Sequence, residues 1–146
     1  MGKRGFTFFE LLIALLIFLV AVGGLVAAQE GCLTLAEGAR NLTVAMNAVR
    51  QKTEEIRNAA FPNVAAYNGQ TFTMAGWGVQ HMGVVRVDTT DPALVQIFVS
   101  VSWRQKGGRV FGEDTDLDGV PDAGEDANGN GRLDSPAGFA TLRADL

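Results

Sequence analysis

The sequence predicts an α+β chain in which one long N-terminal helix packs on a small antiparallel sheet. Three observations carry this. Residues 11–28 hold no charged or polar side chain, a run long enough for a bilayer-crossing helix. Residues 41–57 put Leu42, Ala45, Met46, Val49, Thr53 and Ile56 on one side and Arg50, Lys52, Glu54, Glu55 and Arg57 on the other. That is helical period with one buried stripe. After Pro62 the period shortens to two, most clearly where Val95, Ile97, Val99, Val101 and Trp103 alternate with Gln96, Phe98, Ser100 and Ser102.

The first element begins with Lys3 and Arg4, and Glu10 stands at the mouth of the apolar run. Cations on the short leading side predict that the leader stays cytoplasmic and the remainder is exported. A carboxylate costs about 2.5–3.5 kcal/mol near the bilayer centre and less near its edge. A paired cation relieves that cost. No Lys, Arg or His lies between Phe6 and Glu37, so the partner must come from outside this helix. The free amine of Phe6 on a neighbouring copy would serve, were the chain cut after Gly5. Two plainer readings use the same residues: a secretory signal peptide cut before Gln29, and a simple single-span anchor. Against the first, the run exceeds the ~7–15 residues of a signal h-region, and Glu10 is out of place in one.

The basic leader, Gly5, Phe6-Thr7-Phe8-Phe9-Glu10 and the unbroken apolar run resemble the N-terminal signal of type IV pilins and of type II secretion pseudopilins. The resemblance implies cleavage between Gly5 and Phe6 by a membrane prepilin peptidase and N-methylation of Phe6. It implies that Glu10 neutralises the neighbouring subunit's Phe6 amine during assembly. It further implies a single-pass inner-membrane protein with its C-terminal domain in the periplasm or outside. Inner-membrane machinery would assemble it with other pilin or pseudopilin subunits into an extracellular filament or a periplasmic pseudopilus. Residues 1–5 are then the leader, 6–30 the membrane or filament-core helix, and 31–146 a globular domain. Many major pilins carry a proline in the second half of the apolar run. None occurs here, which moves the soft point to Gly23-Gly24.

The helix is expected from about residue 7 to 58, roughly 75–80 Å at 1.5 Å per residue. Gly23, Gly24, Gly31 and Gly38 weaken it by about 1 kcal/mol each, and in a membrane they permit close helix packing. Phe61-Pro62 ends it, because the residue before proline avoids helical geometry. Strands are expected at 70–74, 82–88 and 94–103. A Gln105-Lys106-Gly107-Gly108 turn leads to 109–111, and a last strand covers 138–143. One face of 94–103 should meet the helix. The other should be solvated apart from Phe98. Thr53-Glu54-Glu55-Ile56-Arg57, Val99-Ser100-Val101-Ser102-Trp103-Arg104, Gly107-Gly108-Arg109 and Thr141-Leu142-Arg143 resemble pieces of the minor pilins and pseudopilins of the V and I types.

The 146 residues carry a net charge of −4, unevenly spread. Residues 111–137 hold eight acids and one base, Arg132, leaving +3 elsewhere. With no basic patch, the chain does not read as a nucleic-acid binder. The single cysteine, Cys32, excludes an internal disulfide and reads as a helix-packing residue. His81 is the only histidine. It reads as a loop residue, and no catalytic grouping accompanies it. The sequon Asn41-Leu42-Thr43 lies on the helix.

The acidic insert, residues 112–137, has a finer pattern. Asp114, Asp116, Asp118, Asp122 and Glu125 fall at positions 1, 3, 5, 9 and 12 of a loop with Gly119 at position 6. An EF-hand loop supplies oxygens to Ca²⁺ from these positions, with a backbone carbonyl at position 7, here Val120, and a bidentate glutamate at position 12. A second copy follows at once: Asp126, Asn128, Asn130, Gly131, Arg132 through its carbonyl, and Asp134. Its position 12 is Ala137, so it is expected to bind more weakly or to be completed by groups from the first loop. Two ions are expected. No helix separates the copies, and the run resembles the Asp-rich calcium repeats of thrombospondin type 3 and dockerin-like modules. A solvated acidic loop is the plainer reading. The resulting expectation is a structural filament subunit, not an enzyme, with calcium-stabilised loops. A membrane-anchored or tip-located calcium-dependent binding module is the alternative.

Overall fold

The computed structural model describes residues 7–145. Helix α1 spans Phe8–Asn58. A 3-10 helix follows at Phe61–Tyr67. Five strands complete the chain: β1 Thr71–Phe72, β2 His81–Asp91, β3 Leu94–Arg104, β4 Val110–Phe111 and β5 Ala137–Ala144. The expected α+β architecture is observed, with every sheet pairing antiparallel. The chain divides into two units, one ending at Ala39 and the other beginning at Arg40.

In the first unit the α1 side chains from Phe8 to Leu35 are exposed, among them Phe8, Leu16, Phe18, Val20 and Leu25. The most apolar 18-residue window has a mean hydropathy of 3.0, and none of it is buried. This helix is long and apolar enough to cross a membrane.

In the second unit the remainder of α1 lies on one face of the sheet. Ala45, Val49 and Ile56 join Val85, Val87, Val95, Ile97, Val99, Val101 and Trp103 in one buried core. Burying each larger side chain contributes about 1.5–3 kcal/mol. The helical stripe differs from expectation at its start. Asn41 is buried and Leu42 is 38% exposed. Asn41 occupies the stripe because the Trp77 indole N–H donates to its Oδ1 at 3.3 Å, which satisfies a buried amide oxygen.

The helix stops at Asn58 and the chain re-coils as a 3-10 turn with Pro62 in its first turn. Proline suits that position, since its missing N–H would have no partner there. Sequence period alone gave no sign of this short element. β1 is shorter than expected because the Met74 N–H goes to His81 Nε2 at 2.7 Å instead of joining the ladder. β2 is longer than expected. A bulge lets it run to Asp91, with Asp88 opposite Gln96 and Asp91 opposite Leu94. Asp88 Oδ1 accepts from the Thr90 N–H and hydroxyl, so a stretch that reads as a turn stays in the strand.

Two strands share one edge of β3. β4 pairs with Trp103 and Arg104, while β5 pairs with residues 94–101. The acidic insert is the excursion between them. It corrects one expectation: the second face of β3 is not solvated. Ser100 and Ser102 are each 2% exposed, because the insert folds back over them. The Ser100 hydroxyl donates to the Leu133 carbonyl at 2.7 Å, and the Ser135 hydroxyl to the Val101 carbonyl at 2.5 Å. Leu133 is buried. A Cβ on Gly112 would overlap the Ser102 side chain. Small residues on β3 thus let the insert backbone approach closely.

Candidate functional site

The expected cleavage position between Gly5 and Phe6, and Phe6 itself, lie outside the described residues. Glu10 is described. It forms a capping box with Thr7 at the start of α1. The Glu10 N–H donates to Thr7 Oγ1 at 3.3 Å, and the Thr7 N–H donates back to Glu10 Oε2 at 3.1 Å. Two N–H groups that the helix leaves unpaired are satisfied this way. Glu10 also places a negative charge at the positive end of the helix dipole.

The insert builds two loops with one design. In the first, Asp114 Oδ1 accepts from the Asp118 N–H and Oδ2 from the Gly119 N–H, each at 3.1 Å. Asp116 Oδ1 accepts from the Asp118 N–H at 3.2 Å, and Asp118 Oδ1 from the Val120 N–H at 2.7 Å. In the second, Asp126 Oδ1 and Oδ2 accept from the N–H groups of Asn130 and Gly131. Asn128 Oδ1 accepts from the Asn130 N–H, and Asn130 Oδ1 from the Arg132 N–H. The four bonds recur at a spacing of twelve residues. Positions 4 and 6 are left-handed in both loops: Leu117 at φ 66° and Gly119 at 81°, Gly129 at 69° and Gly131 at 74°. These turns aim alternate side chains inward.

Asp114, Asp116 and Asp118 place one oxygen each within 4.8 Å of one another. Such a group of hard oxygens suits a hard cation. Asp114 is wholly buried and the other two are exposed. Burial pushes the Asp114 carboxyl above its usual range. The N–H donors of Leu117, Gly119 and Asp118 oppose that shift, and the charge of Glu125 adds to it. A buried carboxyl raised by desolvation gains most from a bound cation, which restores its charged form. Val120 donates its N–H to Asp118. Asp122 lies outside the three-carboxylate group and is exposed.

Glu125 also stands apart from the three carboxylates. It braces the loop. Its Oε1 accepts from the Thr115 N–H and hydroxyl, both at 2.7 Å, and its Oε2 from the Asp122 N–H at 3.3 Å. The Thr115 hydroxyl is the main influence holding this carboxyl below its usual range, against the opposing effect of burial.

The spacing argument missed Glu113. Its Oε1 accepts from the Ala127 N–H at 3.2 Å and its Oε2 from the Asp134 N–H at 2.9 Å. Ala127 and Asp134 are positions 2 and 9 of the second loop. Glu125 binds positions 2 and 9 of the first loop, so Glu113 does for the second loop what Glu125 does for the first. The empty twelfth position at Ala137 is filled from upstream, by a residue just outside the first loop. The available signal was the pair Glu113-Asp114, which recurs twelve residues on as Glu125-Asp126. Asp134 Oδ2 accepts from the side-chain amides of Asn128 and Asn130.

His81, which reads as an idle loop residue, holds its loop closed. Its Nε2 accepts from the Met74 N–H and its Nδ1 faces the Val79 carbonyl at 2.6 Å. With Nε2 accepting, Nδ1 is the ring nitrogen left to donate to the Val79 carbonyl.

No curated protein and no solved structure matches the chain. The family model described as the prokaryotic N-terminal methylation motif matches residues 1–26. That match, over the leader and the first part of the exposed apolar helix, supports a type IV pilin or pseudopilin: a structural chain processed by prepilin peptidase that assembles with other subunits.

Proposed function

We propose that this chain is a subunit of a type IV pilus or a type II secretion pseudopilus, in the minor rather than the major class. Prepilin peptidase cuts between Gly5 and Phe6 and methylates Phe6. The C-terminal unit faces the periplasm or the exterior. Glu10 then accepts the Phe6 amine of the neighbouring subunit, exchanging its capping bond with Thr7 for a charged partner. The observation that carries the reading is the N-terminal methylation motif over residues 1–26, joined to a helix whose apolar side chains have no cover. Intact-mass measurement of the chain from its native membrane tests it. A methylated Phe6 start is expected. A Gln29 start identifies a secretory signal instead, and an intact leader a plain anchor.

The insert is proposed to hold two calcium ions. Asp114, Asp116, Asp118, Asp122, Glu125 and the Val120 carbonyl would serve the first. Asp126, Asn128, Asn130, Asp134 and the Arg132 carbonyl would serve the second, with Glu113 as its glutamate. The fit rests on the donor set, which is oxygen throughout, and on the repetition of one hydrogen-bond design in both loops. Bound calcium would neutralise carboxylates packed at close range and tie the insert to the sheet face. Calorimetric titration of the full chain in neutral detergent should give two sites, and the absence of heat would sink this part of the reading.

A further inference from the structure

Beside the second loop, on the sheet face away from α1, lies a concavity of about 320 Å³ whose lining includes Arg86, Asp88, Gln96, Phe98, Gly131 and Arg132. Neither the filament reading nor the calcium loops use these side chains. Arg86 stands opposite Phe98 in the β2–β3 ladder. The Arg132 guanidinium carbon lies 5.4 Å from the Phe98 ring centroid, and its Nη2 donates to Gln96 Oε1 at 2.7 Å. One guanidinium therefore lies over the Phe98 ring, and a second arginine, Arg86, lines the same concavity. Among the described residues, neither has a carboxylate within 4.0 Å. Like charges sharing a concavity repel, and a bound anion removes that repulsion. The planar fork of arginine matches a carboxylate.

Asp88 decides how much negative charge the concavity takes. The Thr90 hydroxyl and N–H, in that order, hold the Asp88 carboxyl below its usual range, with a smaller contribution from Arg132. Asp88 is therefore ionised at neutral pH, and the lining of two arginines and one aspartate carries a net +1. One carboxylate balances that, whereas a phosphate dianion does not. Only Oδ1 of Asp88 is taken by Thr90, and a carboxylate has about four acceptor positions. Asp88 therefore favours a ligand that also brings hydroxyl donors. The Phe98 ring offers an apolar face to the C–H groups of such a ligand.

We propose that this concavity binds a carboxylate-bearing sugar, a uronate. Its carboxylate sits between Arg86 and Arg132, its ring lies over Phe98, and a hydroxyl reaches Asp88. Arg86, Asp88, Gln96 and Phe98 belong to the sheet, whereas Asn130, Gly131 and Arg132 belong to the second loop, so the site needs that loop ordered and the test is run on the calcium-supplied chain.

The test is an NMR titration of the full ¹⁵N-labelled chain in neutral-detergent micelles at constant ionic strength. Sodium glucuronate is the probe, with glucose, lactate and inorganic phosphate in parallel. Glucuronate should bind with a Kd on the order of 1 mM and shift the Gly131 N–H and the Gln96 side-chain amide. Glucose should shift neither. Arg86→Gln and Arg132→Gln should each weaken binding about tenfold, the loss of one charged hydrogen bond, while Arg50→Gln on α1 should not change it. Arg86 is outside the insert, so that variant reads out even if Arg132→Gln loosens the loop. Lactate binding as tightly as glucuronate would overturn the sugar assignment, and tighter phosphate would overturn the single-charge argument. Absent shifts at Gly131 and Gln96, or an unchanged Kd in Arg86→Gln, would overturn the site.

Discussion

Gly119 and Gly131 both sit at position 6 of their loops, both at positive φ, but they do different work. A Cβ on Gly119 would meet the Thr71 methyl at 2.5 Å, Met82 Cγ at 3.3 Å and a Val84 methyl at 3.4 Å. A Cβ on Gly131 would meet nothing within 4 Å. Gly131→Ala should therefore cost about 1–2 kcal/mol, the left-handed penalty alone. Gly119→Ala should cost about 2–4 kcal/mol, since overpacking adds to that penalty. Thermal denaturation of the two variants side by side checks the difference, and equal losses would mean the sheet contact is soft. Glu113 gives the second residue-scale prediction. Glu113→Gln keeps the side-chain shape but removes the charge that faces the Ala127 and Asp134 N–H groups. Calorimetric stoichiometry should fall from two calcium ions to one, with the first site retained. Two unchanged sites would show that the second loop closes without Glu113.

At the scale of elements, the insert is a cover for the sheet, anchored by Ser100, Ser135 and Arg104, whose Nη2 donates to the Thr115 carbonyl at 3.2 Å. Calcium bound at 100 times its Kd would stabilise the folded chain by about 2.7 kcal/mol. Adding a chelator should then speed amide exchange across residues 113–136 and along the adjoining end of β5, and leave the long β2–β3 ladder protected. Uniform deprotection would instead place the insert inside the global folding unit. The α1 stripe makes its own prediction. Ile56 is fully buried, and the Arg143 guanidinium on β5 donates to its carbonyl at 3.1 Å. Ile56→Ala leaves that backbone bond in place and should cost about 2–5 kcal/mol through the cavity it opens. Chemical denaturation measures it.

At the scale of the whole molecule, the exposed apolar helix needs a membrane or neighbouring helices around it. If Glu10 pairs with the Phe6 amine of the next subunit as proposed, Glu10→Ala should leave the chain inserted and folded but exclude it from sheared filaments. Quantifying the chain in membrane and filament fractions tests this. Undiminished incorporation would show that filament entry does not depend on Glu10, whereas an anchored binding module would keep working in the Glu10→Ala variant. Copy number in the same fractions separates a major subunit from a minor one.

The α1 helix, the succession of strands along the chain and the two twelve-residue registers were legible in the sequence. Each rests on period or turn chemistry within a few neighbouring residues, such as the alternation of residues 95–103 or the glycine at position 6. The tertiary structure decided the rest. Asn41 replaces Leu42 in the buried stripe because Trp77, from a distant loop, reaches it. Ser100 and Ser102 are covered because β4 and β5 share one edge and throw the insert across the second face. Glu113 reaches Ala127 and Asp134, 14 and 21 residues away. Contacts at such separations depend on how the chain closes on itself, and a local pattern carries no record of which distant N–H group a carboxylate will meet.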